Sequence, residues 1–179
     1  MELFVLLSQA VLYICFALLL GTFILRIIPS ELRPNVVVRQ KVLVVVTALI
    51  PLAAFLPVLD ITLYIAPRLG FTNALSIVLT TYTVGTAWDA TLLIALVFVV
   101  LLMRTTATSK VASYVGIVLT TLLIVSVAWS SHAAALNATT GIVSDTLHLV
   151  GASVWVGILL VISFFAKDTN NWLAFLNWF

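Results

Sequence analysis

Two histidines, His132 and His148, and three aspartates, Asp60, Asp89 and Asp145, are the side chains best suited to chemistry, because each stands in or beside a long apolar run. Placing an ionisable group in hydrocarbon costs about 2.5–3.5 kcal/mol on insertion scales, so such groups are functional candidates by default. Imidazoles with carboxylates nearby suit copper, zinc or iron, and magnesium or calcium less well, since those ions take oxygen ligands. Sulfur, which selects Cu(I), is scarce: Cys15, Met1 and Met103 are all there is. A single cysteine excludes an internal disulfide and a paired-cysteine metal site.

The sharpest spacing is Asp145, His148, Gly151, Ala152 and Trp155, at i, i+3, i+6, i+7 and i+10, which is one face of a helix. There Asp145 is within reach of His148 and suited to orient the ring or raise its basicity. At a helix start the same carboxylate serves equally well as a cap. Gly151 and Ala152 would let a neighbouring helix approach closely just below the imidazole. Trp129 and His132 are likewise three apart, and the connection between the two segments is short, so His132 and His148 can face each other across an antiparallel helix pair.

Each residue also has a plainer reading. His132 at a helix end is interfacial, and His148 makes an interhelical hydrogen bond. Asp60, one turn after Pro57, bonds freed backbone or pairs with Arg68. Asp89 lies beside Trp88, and Trp88, Trp129 and Trp155 are belt or packing residues. Cys15 packs as a small hydrophobe.

The elements that position these groups follow from composition. The chain is 64% hydrophobic and 8% charged, with a mean hydropathy of +1.30, where ordinary domains are about 45–50% apolar and roughly 25% charged. That excludes a water-soluble enzyme, a nucleic-acid binder, a disulfide-stapled module and a disordered chain. The expected fold is an all-α, polytopic transmembrane bundle in one domain over residues 1–179. Its spans cover about 3–25, 42–66, 84–103, 111–131 and 144–166, each near the roughly 20 residues that cross hydrocarbon. The first run lacks a basic leader and a cleavage site, so it reads as a retained helix. Pro51 and Pro57 predict kinks in the second. Residues 71–83 read as a short interfacial or re-entrant piece.

With the N-terminus outside, Arg26, Arg33, Arg39, Lys41, Arg104, Lys110 and Lys167 fall on the cytoplasmic side and only Arg68 outside. The aspartates and histidines then gather towards the external face, with His148 about 6 Å inside its helix by helical rise. The tail 167–179 carries Trp172, Phe175, Leu176 and Phe179 as an aromatic stripe suited to the interface, or equally to the entry of a sixth helix. Asn137-Ala138-Thr139 matches a glycosylation sequon, a weak three-residue pattern.

The stretch Ser131-His132-Ala133-Ala134-Ala135, followed by Asp145-Thr146-Leu147-His148 and on to Trp155-Val156-Gly157, resembles the copper resistance protein D family. The resemblance implies an inner-membrane, multi-pass protein that moves copper from the external side into the cell. It implies that His132 and His148 contact copper or shape its entry site; the residues themselves add Asp60 and Asp89 lining an outward vestibule and Asp145 tuning His148, with Trp155 in support. Members of that family resemble eight-helix proteins, so five spans form only its N-terminal part. A partial bundle reads as a fragment of a longer member, as a split gene product, or as a chain completed by a homo-oligomer or partner helices, with a soluble copper-binding protein as one external partner.

The leading expectation is therefore copper binding and uptake, without enzymatic chemistry. No phosphate-binding loop, Gly-x-Ser-x-Gly or His-Glu-x-x-His pattern occurs, and Ser130, Ser131 and Ser153 have no evident triad. Two alternatives stand beside it. One is a b-type haem electron-transfer subunit with both histidines as axial ligands. The other is a non-catalytic assembly protein whose polar groups hold helices together.

Overall fold

Long apolar runs in this chain have one way to satisfy their backbone away from water, which is helix. The computed structural model describes residues 2–104, 109–131 and 138–166. Among these are six helices: α1 (Glu2–Ile27), α2 (Gln40–Leu69), α3 (Phe71–Thr81), α4 (Thr83–Arg104), α5 (Lys110–Ala128) and α6 (Ala138–Phe165). Five are long and apolar enough to cross a membrane, and α3 is a short apolar helix of 11 residues. The chain is an all-helical, multi-pass membrane protein.

The observed helices match the expected spans closely, except at α6. Asp145 was expected to open that helix, but α6 begins at Ala138, so Asp145 stands two turns inside and is not a cap. The physical reason is that Gly141 and the threonines before it read as a loop by propensity, whereas Gly141 is in fact buried within the helix. At 28 residues α6 exceeds the hydrocarbon thickness. Counting about 20 residues back from Phe165 brings the boundary to the level of Asp145. At the other end of the loop, α5 stops at Ala128, and Trp129, Ser130 and Ser131 continue as turns. The chain through all three prolines of α2, Pro51, Pro57 and Pro67, is one helix.

α1 is the central element. It packs against α6, α2 and α5, while α4 closes against α2 and α5. α1 and α6 run parallel and meet at two glycines. A Cβ on Gly157 would lie 2.0 Å from the Ala17 carbonyl oxygen, and one on Gly21 would lie 2.2 Å from the Gly157 carbonyl carbon. Only hydrogen fits there, and this contact sets how closely the two helices approach. Around it the core is packed by Phe16, Leu19, Leu20, Phe23, Phe98 and Leu123. The rings of Phe23 and Phe98 are 5.8 Å apart.

The basic end is tied together by the segment that joins α1 to α2. Arg26 Nη2 donates to the Val38 carbonyl at 3.1 Å and its guanidinium lies over the Phe23 ring. Arg33 Nη1 donates to the Leu25 carbonyl at 2.8 Å. Val37 N–H donates to the Phe165 carbonyl at 3.2 Å, and Gln40 Nε2 donates to the Leu102 carbonyl. Arg26, Arg33, Arg39, Lys41, Arg104 and Lys110 thus gather at one end of the bundle, and Arg68 in the last turn of α2 stands at the other. Glu31, outside the spans, is held below the usual carboxylate range by a hydrogen bond from its own backbone and by Ser30 Oγ at 3.0 Å.

Candidate functional site

At the end opposite the basic residues the five long helices leave a cleft of about 690 Å³. α1 contributes Val5, Gln9, Leu12 and Tyr13, and α2 contributes Ala54, Pro57 and Ile61. α4 gives Val84, Ala87, Trp88 and Thr91; the end of α5 gives Ser126 to Ala128 with Ser130 and Ser131; α6 gives Asp145, His148 and Leu149. The parallel packing of α1 and α6 explains why the last group is there. With Gly157 seated on Ala17 and Gly21, Asp145 comes level with Gln9 and His148 with Leu12.

The floor is a hydroxyl pair. Thr91 Oγ1 and Ser126 Oγ are 2.8 Å apart and join α4 to α5. Each also donates backwards along its own helix, Thr91 to the Ala87 carbonyl and Ser126 to the Leu123 carbonyl. One of the two must therefore share its proton between two acceptors, as a hydroxyl can. Trp88 stands in the wall with its polar atom already engaged: its Nε1–H donates to the Pro51 carbonyl at 2.9 Å, and its ring packs at 5.0 Å on Phe55. That ties α4 to the proline-containing stretch of α2 and makes Trp88 a packing residue.

The two candidates on α6 are thus brought together in one wall, but they do not touch. Among the described residues no hydrogen bond or ion pair links Asp145 to His148 or to anything else, so their side chains are available to the cleft. The hydroxyl of Thr146, between them in sequence, is buried with no partner among the described residues. Asp60 and Asp89 are one position removed from the wall, next to Ile61 and Trp88; Asp60 is half-buried and Asp89 exposed. No ion pair joins Asp60 to Arg68. Trp129 and Trp155 are 51% and 61% exposed, on the bundle's outer surface. His132 lies outside the described residues, as do Asn137 and the tail with Trp172, Phe175, Leu176 and Phe179. Among the described residues no three of His, Cys, Asp or Glu converge as a metal site would require.

One expectation is corrected. Among the described residues no helix packs on Gly151 and Ala152: both are exposed, and a Cβ on Gly151 would meet nothing within 4 Å. The face of α6 that packs runs through Ser153, Gly157, Ile158 and Val161 instead. Asp145, His148 and Trp155 follow one face by spacing, but only Asp145 and His148 line the cleft, while Trp155 lies on the outer surface.

The sequence reading missed Gln9, Tyr13, Thr91 and Ser126 as cleft residues. Gln9 carried a signal, as an amide in an otherwise apolar run. Thr91 and Ser126 carried none, because hydroxyls bonded to their own helix are ordinary in spans.

A family model for the copper resistance protein D-like, N-terminal domain matches residues 1–144. The chain belongs to that family. No curated protein and no solved structure matches it. The match covers α1 to α5 and the start of α6 and includes His132, but ends one residue short of Asp145. The family assignment therefore rests on the helices that build four walls of the cleft. Of the two stretches that carried the resemblance in sequence, Ser131 to Ala135 lies inside the match and Asp145 to Gly157 beyond it. As a member of the copper resistance protein D-like family, the chain is associated with copper resistance.

Proposed function

We propose that this chain binds copper and admits it from the external side of the cytoplasmic membrane, with the cleft as its receiving site. The observation that carries the reading is the position of the cleft. It lies at the end opposite the gathered arginines and lysines, which the positive-inside rule assigns to the cytoplasm. His148 is its imidazole and Asp145 its anion. His132, sixteen residues before His148 in sequence, is the natural second imidazole. Asp60 and Asp89 contribute negative potential near the mouth rather than ligands. Copper is cargo here and no covalent chemistry is required, so the chain is not an enzyme on this reading.

The test is copper accumulation in intact cells that depend on this protein, wild type beside His148→Ala and His132→Ala. Loss of copper-dependent accumulation in both, with the proteins present at equal levels in the membrane, is the expected result. Unchanged accumulation in the His148→Ala cells overturns the proposal. A Soret band in the purified wild-type protein, absent from the double variant, would replace it with haem ligation.

A further inference from the structure

The cleft's donors also bear on which copper ion it takes. Resting on the copper reading above, we infer that the cleft receives copper as hydrated Cu²⁺ rather than as Cu⁺. The polar groups in its wall are the imidazole of His148, the carboxylate of Asp145, the amide of Gln9, the phenol of Tyr13 and the hydroxyl of Ser130, which already donates to the Val127 carbonyl. All are nitrogen or oxygen. Such sets hold Cu²⁺ in tetragonal geometry, whereas Cu⁺ is selected by thiolate and thioether.

Sulfur is kept away from the cleft. Cys15 is 3% exposed inside the hydrophobic core, one turn below Leu12, and is not part of the wall. Met103 is 72% exposed on the last turn of α4, at the basic end. Met1 lies outside the described residues.

Size and charge agree with ligand type. At about 30 Å³ per water, 690 Å³ holds on the order of 20 waters. With one imidazole and one carboxylate in the described wall, several coordination positions are left to water, which suits a strongly hydrated divalent ion. A carboxylate not paired to any described cation leaves the wall anionic, which favours the doubly charged ion over the singly charged one. Below the cleft, the Thr91–Ser126 pair and the packed phenylalanines and leucines offer no further ligands, so Cu²⁺ is held at the outer end.

The experiment uses the full chain purified in detergent. It is loaded either with CuCl₂ in air or with Cu⁺ under argon, and each sample is then dialysed against a chelator specific for that oxidation state. Retained copper is counted and the Cu²⁺ sample is examined by electron paramagnetic resonance. Support is Cu²⁺ retained near one per chain with nitrogen hyperfine structure, together with loss of Cu⁺ to its chelator. In His148→Ala and His148→Gln the retained Cu²⁺ should fall at least about tenfold, the scale on which even outer-shell partners of a metal site act. Cys15→Ser should change nothing. Retention of Cu⁺ without Cu²⁺, or loss of copper in Cys15→Ser, overturns the inference and leaves the copper reading standing. Retention of neither ion overturns both. The wild-type spectrum decides the matter even if a variant fails to fold.

Discussion

The two halves of this bundle are built from the same apolar composition and end up with different interiors. In the half that carries the arginines and lysines, Phe16, Phe23, Phe98, Leu19 and Leu123 fill the space between helices, and two glycines bring α1 against α6. In the other half the same five long helices stand around about 690 Å³ of open space lined by hydroxyls, an amide, a phenol, a carboxylate and an imidazole. The difference teaches where rigidity and function divide. Between helices in a membrane there is little hydrophobic drive, since lipid is as apolar as leucine, so association rests on close packing and a few hydrogen bonds. The dry half supplies the packing, and the wet half is held open by it. The boundary is the Thr91–Ser126 pair.

Breaking the dry half should have the largest effect. Gly157→Ala puts a methyl group against the Ala17 backbone, which cannot move as a side chain would. Overpacking typically costs 1–3 kcal/mol, and here we expect the upper end, about 3 kcal/mol, with loss of the cleft. Unfolding in mixed micelles, followed by helicity, measures it; a variant as stable as wild type would show that α1 and α6 are not locked at this contact.

Phe16→Ala comes next. In water-soluble cores such a deletion costs 3–5 kcal/mol, but the transfer part shrinks when the surroundings are lipid, leaving a cavity cost of about 2 kcal/mol. The same assay reads it, and Leu149→Ala in the cleft wall should cost clearly less, since that residue already borders open space.

The boundary itself should be softer. Thr91→Val removes one partner of the hydroxyl pair and leaves Ser126 its bond to Leu123, so about 0.6 kcal/mol is expected, the average for interhelical hydrogen bonds. A cost near 2 kcal/mol would mean that the pair carries the junction of α4 and α5.

Within the cleft, His148→Ala should leave stability within about 0.5 kcal/mol, as for other exposed positions, while abolishing copper retention. A large loss of stability would instead make His148 a structural residue. Gly151→Ala should act with the opposite sign. With nothing within 4 Å of the new methyl group, the gain in helix propensity should stabilise by about 0.5 kcal/mol. The contrast with Gly157, six residues along the same helix, isolates packing from propensity.

Much of the fold was legible in the sequence because hydrocarbon imposes a length. The runs expected at 3–25 and 84–103 are observed as Glu2–Ile27 and Thr83–Arg104, and the short piece after the second span is α3. The gathering of basic residues at one end was equally legible, since alternating spans and the positions of Arg26, Arg39, Lys41, Arg104 and Lys110 suffice to imply it. The site was legible only in part. Asp145 and His148 were found because they are ionisable groups in apolar surroundings, and they do line the cleft. The distance between them and Asp60 or Asp89 was not, because depth along a helix says nothing of its rotation about its own axis.

That rotation is what the sequence by itself left open. It determined how many helices there are, which end carries positive charge, and that one face of the sixth helix bears a carboxylate and an imidazole. The tertiary structure decided which glycine of that helix meets its neighbour and which faces outward, where the hydroxyl floor lies, and that Cys15 is buried below the cleft rather than in it. In water a buried face announces itself by being more apolar than the exposed one. In a membrane both faces are apolar, so only the fit of side chains against one another, read in three dimensions, tells them apart.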